Sequence, residues 1–453
     1  MKTILSSLLL WSVAICATAQ NNLIYTPPAN DTAALHANFL AIEKIYQDET
    51  SQLKGKENQS LLEFYRRRID NIHSLFLRGE ILADTVASKY LEKLTEQIIS
   101  GNSMLQPLPL HFAISKSAVP NAASYGSGFI AFNAGLLTRL ENENQVAFVL
   151  CHEIAHQFLH HSDNSIRKYL EVLNSQETKK EVKHISKQEY NRRAQFESLN
   201  QQIDFGNKRY SRANEAQADS LAVIFMANAH FDTRGALSCL ALLDKIDDDT
   251  FSSTTLLRNT FSNHEYPFNE RWLEKEDGLL GGHAILQKDE KLADSLKTHP
   301  DCSERISLLQ PSIALNKQQA DLSDTNAFTV VKEILPYETI NYYYNSTQYS
   351  RSIYYCLELL SRKPSDAFAL ITLGKAMNNI YEAQQNHSLN KVADLPSPYY
   401  SSNYNMVLQF IQNLRLNEIA MTNYFFLRNY ATTLSGSKAY ESVFSKSRQL
   451  AGK

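Results

Sequence analysis

His152 and His156 stand four residues apart in "VLCHEIAHQFLHHS", with Glu153 directly after the first. Four residues is a little over one helical turn, so both imidazoles project from one face and can reach the same cation. This is the H-E-x-x-H arrangement, in which zinc supplies Lewis acidity and the glutamate takes a proton from water. Catalytic zinc usually has three protein ligands and one open position. The metzincin continuation H-x-x-G-x-x-H is missing, because Leu159 and Ser162 occupy the glycine and last-histidine positions. His160 and His161 read as surface or core histidines. A better third ligand is Glu215 in "SRANEAQADS", at the start of an apolar helix and on one face with Asp219. Asp219 can then accept a hydrogen bond from the second nitrogen of a ligand histidine and fix its tautomer. Taken alone, the two acids read more simply as an acidic helix start favoured by the helix dipole.

These residues need elements to hold them. The chemistry-bearing helix starts near Glu143, with Asn142 as its cap and Val146, Val149, Leu150 and Ile154 on one apolar face. Before it, residues 110–114 and 128–133 read as strands of a small antiparallel sheet, amid small residues, Gly and Pro. Residues 32–100 carry a helical period. Residues 163–212 are polar and highly charged, which fits a solvated helical excursion. Residues 252–296 look irregular. From residue 313 the chain is helical again, and "YSRSIYYCLELLSRKPSDAFALITLGKAMNNIYEA" reads as helix, turn and helix. That unit resembles a tetratricopeptide repeat, although an unrelated helical hairpin would give the same pattern. The fold class is therefore mainly α with a small antiparallel sheet.

The chain has 453 residues, 43% hydrophobic and 21% charged, enough for a large core in two or three domains. A net charge of −3 offers no nucleic-acid footprint. The start, "MKTILSSLLLWSVAICATAQNN", has a lysine, a short apolar run and a small-x-small site near Ala19, as in a secretory signal. An uncleaved anchor, or a lipid anchor through Cys16, is the rival reading of the same residues. Beyond it no apolar run reaches membrane-spanning length. The expected product is exported, periplasmic or secreted, with no transmembrane helix. Cys151, Cys239, Cys302 and Cys356 form no C-x-x-C.

Taken together and in order, four segments resemble metallopeptidase family forty-eight, which includes the CAAX prenyl endopeptidase and the HtpX-type proteases. They are "PNAASYGSGFIAFNAGLL", "ENENQVAFVLCHEIAHQFLHHS", "YSRANEAQADSLA" and "THPDCSERISLL". The resemblance implies a zincin core of the gluzincin type, with His152, His156 and Glu215 on one zinc ion per chain. It implies Glu153 as the general base and Asp219 as the supporting aspartate. His299 and Arg305, in the closing segment, are candidates for charge stabilisation or structural support. His299 is also a candidate fourth ligand. Departures are Cys151 before the first histidine, Ser127 at a position often glycine, and a long stretch between Glu215 and His299. The implied organisation is a signal over 1–19, a helical region over 20–82, a peptidase domain over 83–312 and a helical region over 313–453. The implied activity is hydrolysis of peptide bonds in exported or envelope proteins, in quality control. The substrate would pair along the strand Phe129, Ile130, Ala131, Phe132 and Asn133. Other envelope proteins would dock on the C-terminal helices. The alternative is a chaperone-like or adaptor protein with a silent or latent core.

Overall fold

The computed structural model describes the chain apart from residues 1–23, 28–31, 52, 54, 56, 57, 84, 187–211, 249, 250, 275–301 and 315–324. The signal and His299 lie outside the described residues.

Alternation along "FIAFN" determines how the sheet is buried. In β4 (Phe129–Asn133), Ile130 and Phe132 face one side while Phe129 and Ala131 face the other, and all four are buried. A strand covered on both faces reads as a continuous apolar run. On one side, Ile114, Ile130 and Phe132 join the core that includes α3 (Val86–Gly101) and α5 (Glu143–Phe158). On the other, Ala113, Phe129 and Ala131 pack with Ile42 of α1 (Thr32–Ser51) and Ile69 and Ile72 of α2 (Gln59–Leu77).

The sheet differs from the expected antiparallel one. It is mixed, with order β1-β2-β4-β3, where β1 is Ile81–Leu82, β2 His111–Ser115 and β3 Ala122–Gly126. β2 and β4 run parallel, while β3 pairs antiparallel with β4. The reason is β3, a strand of small residues that the hydrophobic pattern does not reveal. It occupies the outer position and returns through a tight hairpin, so β4 re-enters alongside β2 in the same direction. β4 therefore has β2 on one edge and β3 on the other. Phe129 to Asn133 cannot offer an edge to a substrate, and that expectation is corrected.

The hairpin turn holds Gly126, Ser127 and Gly128 at φ of 82°, 49° and 69°. A Cβ on Gly128 would lie 1.6 Å from the Pro109 carbonyl oxygen, so glycine is required there. Ser127 takes a left-handed conformation that glycine adopts more easily, and its hydroxyl donates to the Glu49 carboxylate.

After α4 (Ala134–Arg139), the Asn142 side chain accepts from Gln145 N–H at 3.1 Å and caps α5, as expected. α5 is buried on more than one face: Ala147, Phe148, Leu150, Cys151 and Ala155 are all at most 1% exposed. The chain leaves the core through α6 (His161–Asn174) and α7 (Gln176–Ser186), whose residues are mostly half-buried or exposed. It returns as α8 (212–228), followed by α9 (Arg234–Leu243).

The long stretch before the closing segment then departs from that core. α10 (Ser253–Phe261) is helical, contrary to the irregular reading of residues 252–296, and a 3-10 turn follows at Glu270–Leu273. Leu257, Phe261 and Trp272 belong to a second core, built with the C-terminal helices. α11 (Cys302–Ala314) rejoins the first core through Cys302, Leu309 and Ile313. α12 (Thr325–Asn345) spans both cores: Phe328, Val331 and Leu335 pack in the first, Ile340 in the second. α13 (Tyr349–Arg362) and α14 (Ala367–Gln385) form a hairpin, and Asp366 in its turn accepts from Ala369 N–H at 2.9 Å. α15 (Ser402–Asn413), α16 (Leu416–Asn429) and α17 (Lys438–Leu450) complete this unit. Among the described residues, no helix is long and apolar enough to cross a membrane.

Candidate metal and catalytic site

Helical spacing on two helices brings three donors together. His152 Nε2 and His156 Nε2, one turn apart on α5, are 3.0 Å from each other. Glu215, on the first turn of α8, places Oε2 at 3.4 Å from His152 Nε2 and Oε1 at 3.3 Å from His156 Nε2. A tetrahedral zinc with bonds of about 2.0–2.1 Å has donor–donor edges of about 3.3 Å, so the set fits that ion. Two nitrogens and one carboxylate are also a donor set suited to zinc.

The charges point the same way. Burial opposes a charge on His152, yet hydrogen bonds and charges from Asp219 and Glu215 raise its pKa to about 10. Burial alone would raise the Glu215 carboxyl, but the two histidines and Arg305 hold it well below the usual carboxylate range. The pair of carboxylates thus concentrates demand for positive charge at the point where the imidazoles meet.

Each donor is held from behind. Asp219 Oδ1 is 2.9 Å from His152 Nδ1. Arg305 from α11 donates to both Asp219 oxygens at 2.7 Å, and its NH1 is 3.4 Å from Glu215 Oε2. Burial raises the Asp219 carboxyl, but the hydrogen bonds from Arg305 and His152 outweigh it and hold the group below its ordinary value. The arginine keeps the aspartate ionised, and the aspartate fixes a proton on His152 Nδ1, which leaves Nε2 free to bind.

His161, expected as a surface or core histidine and not a ligand, is buried and stands behind His156, a contact the sequence reading did not foresee. α5 ends at Phe158, and His160 at φ 55° turns the chain back. His161 then sits buried, with Nδ1 3.0 Å from His156 Nδ1 and Nε2 3.2 Å from Gln217 Oε1. The doubled histidine just past the motif was the available signal. His160 is exposed at this turn.

Glu153 stands beside the donors. Its Oε2 accepts from the backbone N–H of Ser124 in β3 at 2.7 Å. Burial pushes its pKa up, partly offset by the nearby histidines. Among the described residues β3 pairs with β4 alone, so its other edge, with Ser124 N–H, faces the cleft. That cleft holds about 340 Å³, between Ala122 to Ser124 on one wall and His152, Glu153 and Glu215 on the other. Nothing in the sequence marks Ser124, because its role depends on the register of an unrecognised strand.

Residues 86–312 match the family model described as peptidase family M48. A protein of Vibrio cholerae serotype O1, provisionally named a beta-barrel assembly-enhancing protease, is 25% identical over 157 residues. That similarity covers 34% of this chain and 32% of the relative, so the match spans about a third of the relative's length.

Proposed function

The chain belongs to peptidase family M48, and on that premise we propose that it is a zinc-dependent endopeptidase acting on polypeptides of the cell envelope. The observation that carries this reading is the convergence of His152 Nε2 and His156 Nε2, 3.0 Å apart, on the Glu215 carboxylate, whose two oxygens lie at 3.4 and 3.3 Å from them, with Glu153 beside them.

His152, His156 and Glu215 would hold the ion. When bound, zinc supplies Lewis acidity that polarises a carbonyl and eases loss of a proton from water. Glu153 is the general base: it takes that proton and passes it to the leaving amine. The Ser124 N–H keeps the carboxylate turned toward β3. A substrate lies extended along the free edge of β3, where backbone hydrogen bonds give affinity without demanding sequence. Arg305 positions Asp219 and, through it, His152. The relative's name, which ties it to beta-barrel assembly, supports an envelope setting. The C-terminal helices serve as a tetratricopeptide-like platform for envelope partners.

The test is zinc content measured together with cleavage of an unfolded protein. The expected result is about one zinc per chain, cleavage lost on chelation and restored by zinc. A zinc-loaded chain that leaves unfolded proteins intact would overturn the reading.

A further inference from the structure

Two cavities lie along consecutive stretches of the same chain. The catalytic cleft is lined by Asn121 to Ser124 and by Leu243. A second cleft of about 360 Å³ begins where those walls leave off, at Ala118, Val119 and Pro120 and at Ile246. Residues 118–124 therefore run from the second cleft into the first, through a bend and then as edge strand β3. From Val119 to Ser124 is at most about 17 Å, five residues of extended chain. A polypeptide on β3 needs only about that many residues to pass from Glu153 into the second cleft.

The far wall comes from the C-terminal helices, as Arg351, Tyr354 and Tyr355 of α13 with Tyr399, Tyr400 and Tyr404. Its rings support one another: Tyr354 lies 5.0 Å from Tyr355 and 5.3 Å from Tyr404, and Tyr400 lies 5.2 Å from Tyr404. The Arg351 guanidinium lies 5.8 Å from the ring centre of Tyr404 and 6.0 Å from that of Tyr400, and pairs with Asp394 at 2.9 Å. The wall is therefore ordered before anything binds. The cleft carries both signs, with Arg139, Arg351 and Arg362 beside Asp247, Asp248 and Glu358, and Arg351 is already paired with Asp394. Neither anions nor cations are selected. Fixed tyrosines offer ring faces to side chains, with the Tyr404 hydroxyl already donating to Asp394, and little entropy is lost on contact. That chemistry suits a polypeptide of varied sequence.

We propose that this tyrosine cleft is an exosite for a flanking segment of the same polypeptide whose scissile bond lies at Glu153. The C-terminal helices then favour long extended substrates over short peptides. This rests on the peptidase reading above.

Two variants test it. Tyr400→Ala removes a ring from a loop, and Val119→Trp blocks the lip from a position 44% exposed, where a larger side chain does not disturb the core. With zinc-loaded enzyme, the KM for a carboxymethylated protein should rise about tenfold, the scale of losing one interface anchor. The kcat/KM for a peptide too short to leave the catalytic cleft should change less than twofold. In a Glu153→Gln background, fluorescence anisotropy of the labelled carboxymethylated protein should weaken by the same factor. That arm reads binding alone, so absence of cleavage by the unaltered chain sinks the peptidase reading while the exosite is still measured. Unchanged KM and Kd for the long substrate, or equal losses on long and short substrates, overturn the exosite. If Tyr400→Ala does not fold, Val119→Trp decides.

Discussion

Replacing Asp219 with alanine removes three hydrogen bonds and strands a guanidinium. Asp219 is 1% exposed and accepts from Arg305 Nε, Arg305 NH2 and His152 Nδ1. Arg305 is itself 6% exposed. Removing one member of such a pair costs about 3–5 kcal/mol, because the other charge stays buried. Glu215, 3.4 Å from Arg305 NH1, retains part of the compensation, so the lower end is expected. At roughly 2 °C per kcal/mol for a large domain, the melting midpoint of chelator-treated protein should fall by about 6 °C. Asp219→Asn keeps an acceptor and should lose less. Adding Arg305→Leu to Asp219→Ala removes the stranded charge and should recover a substantial part of the loss. Zinc affinity should behave differently. It should drop about 10- to 100-fold in Asp219→Ala and remain low in the double variant, since His152 has lost its acceptor in both. Calorimetry on chelated protein and zinc titration separate the two effects. A double variant no more stable than the single one, or a single variant with unaltered zinc affinity, refutes the reasoning.

Glu153→Gln keeps every donor but cannot take a proton. Cleavage of an unfolded protein should fall at least about 100-fold at unchanged zinc content, and retained turnover would remove Glu153 as the base. Glu215→Ala should lower zinc occupancy in equilibrium dialysis, and full occupancy would place the third ligand elsewhere. His161→Phe preserves bulk but removes the partner of His156 Nδ1. Zinc affinity should fall about tenfold, and an unaltered value would make His161 a packing residue only.

The pairing of His152 with His156 was legible from local geometry, whereas Glu215, which alone reads as an acidic helix start, was singled out by the family resemblance. Four-residue spacing within "HEIAH" and within "EAQAD" puts each pair on one helix face whatever the rest of the chain does. The Asn142 cap was legible for the same reason. What failed depended on distant partners. The small residues of β3 carry no hydrophobic signal, so the pairing of edge strand β3 with β4 was missed and β4 was taken for an edge. Its unbroken apolar run was the cue that it lies inside. His161 needed a left-handed residue at His160, a conformation no pattern of apolar positions predicts. The helix at Ser253–Phe261 looked irregular because its apolar face meets residues some hundred and fifty positions later, such as Phe410 and Phe426.

α12 has a bearing on the order in which the molecule can be made. Phe328, Val331 and Leu335 join the first core, where α12 packs on α3 and α4, and Lys332 donates to the Leu140 carbonyl just before α5 begins. All four residues are synthesised after the last charged residue of the site, Arg305. A chain that stops at residue 314 should therefore hold every donor yet present an unfilled groove where α12 belongs, and limited proteolysis should cut it faster than the full chain. During translation the unit that carries the metal donors stays incomplete until the helical region has begun to emerge, so the proposed catalytic cleft is finished only together with the proposed exosite.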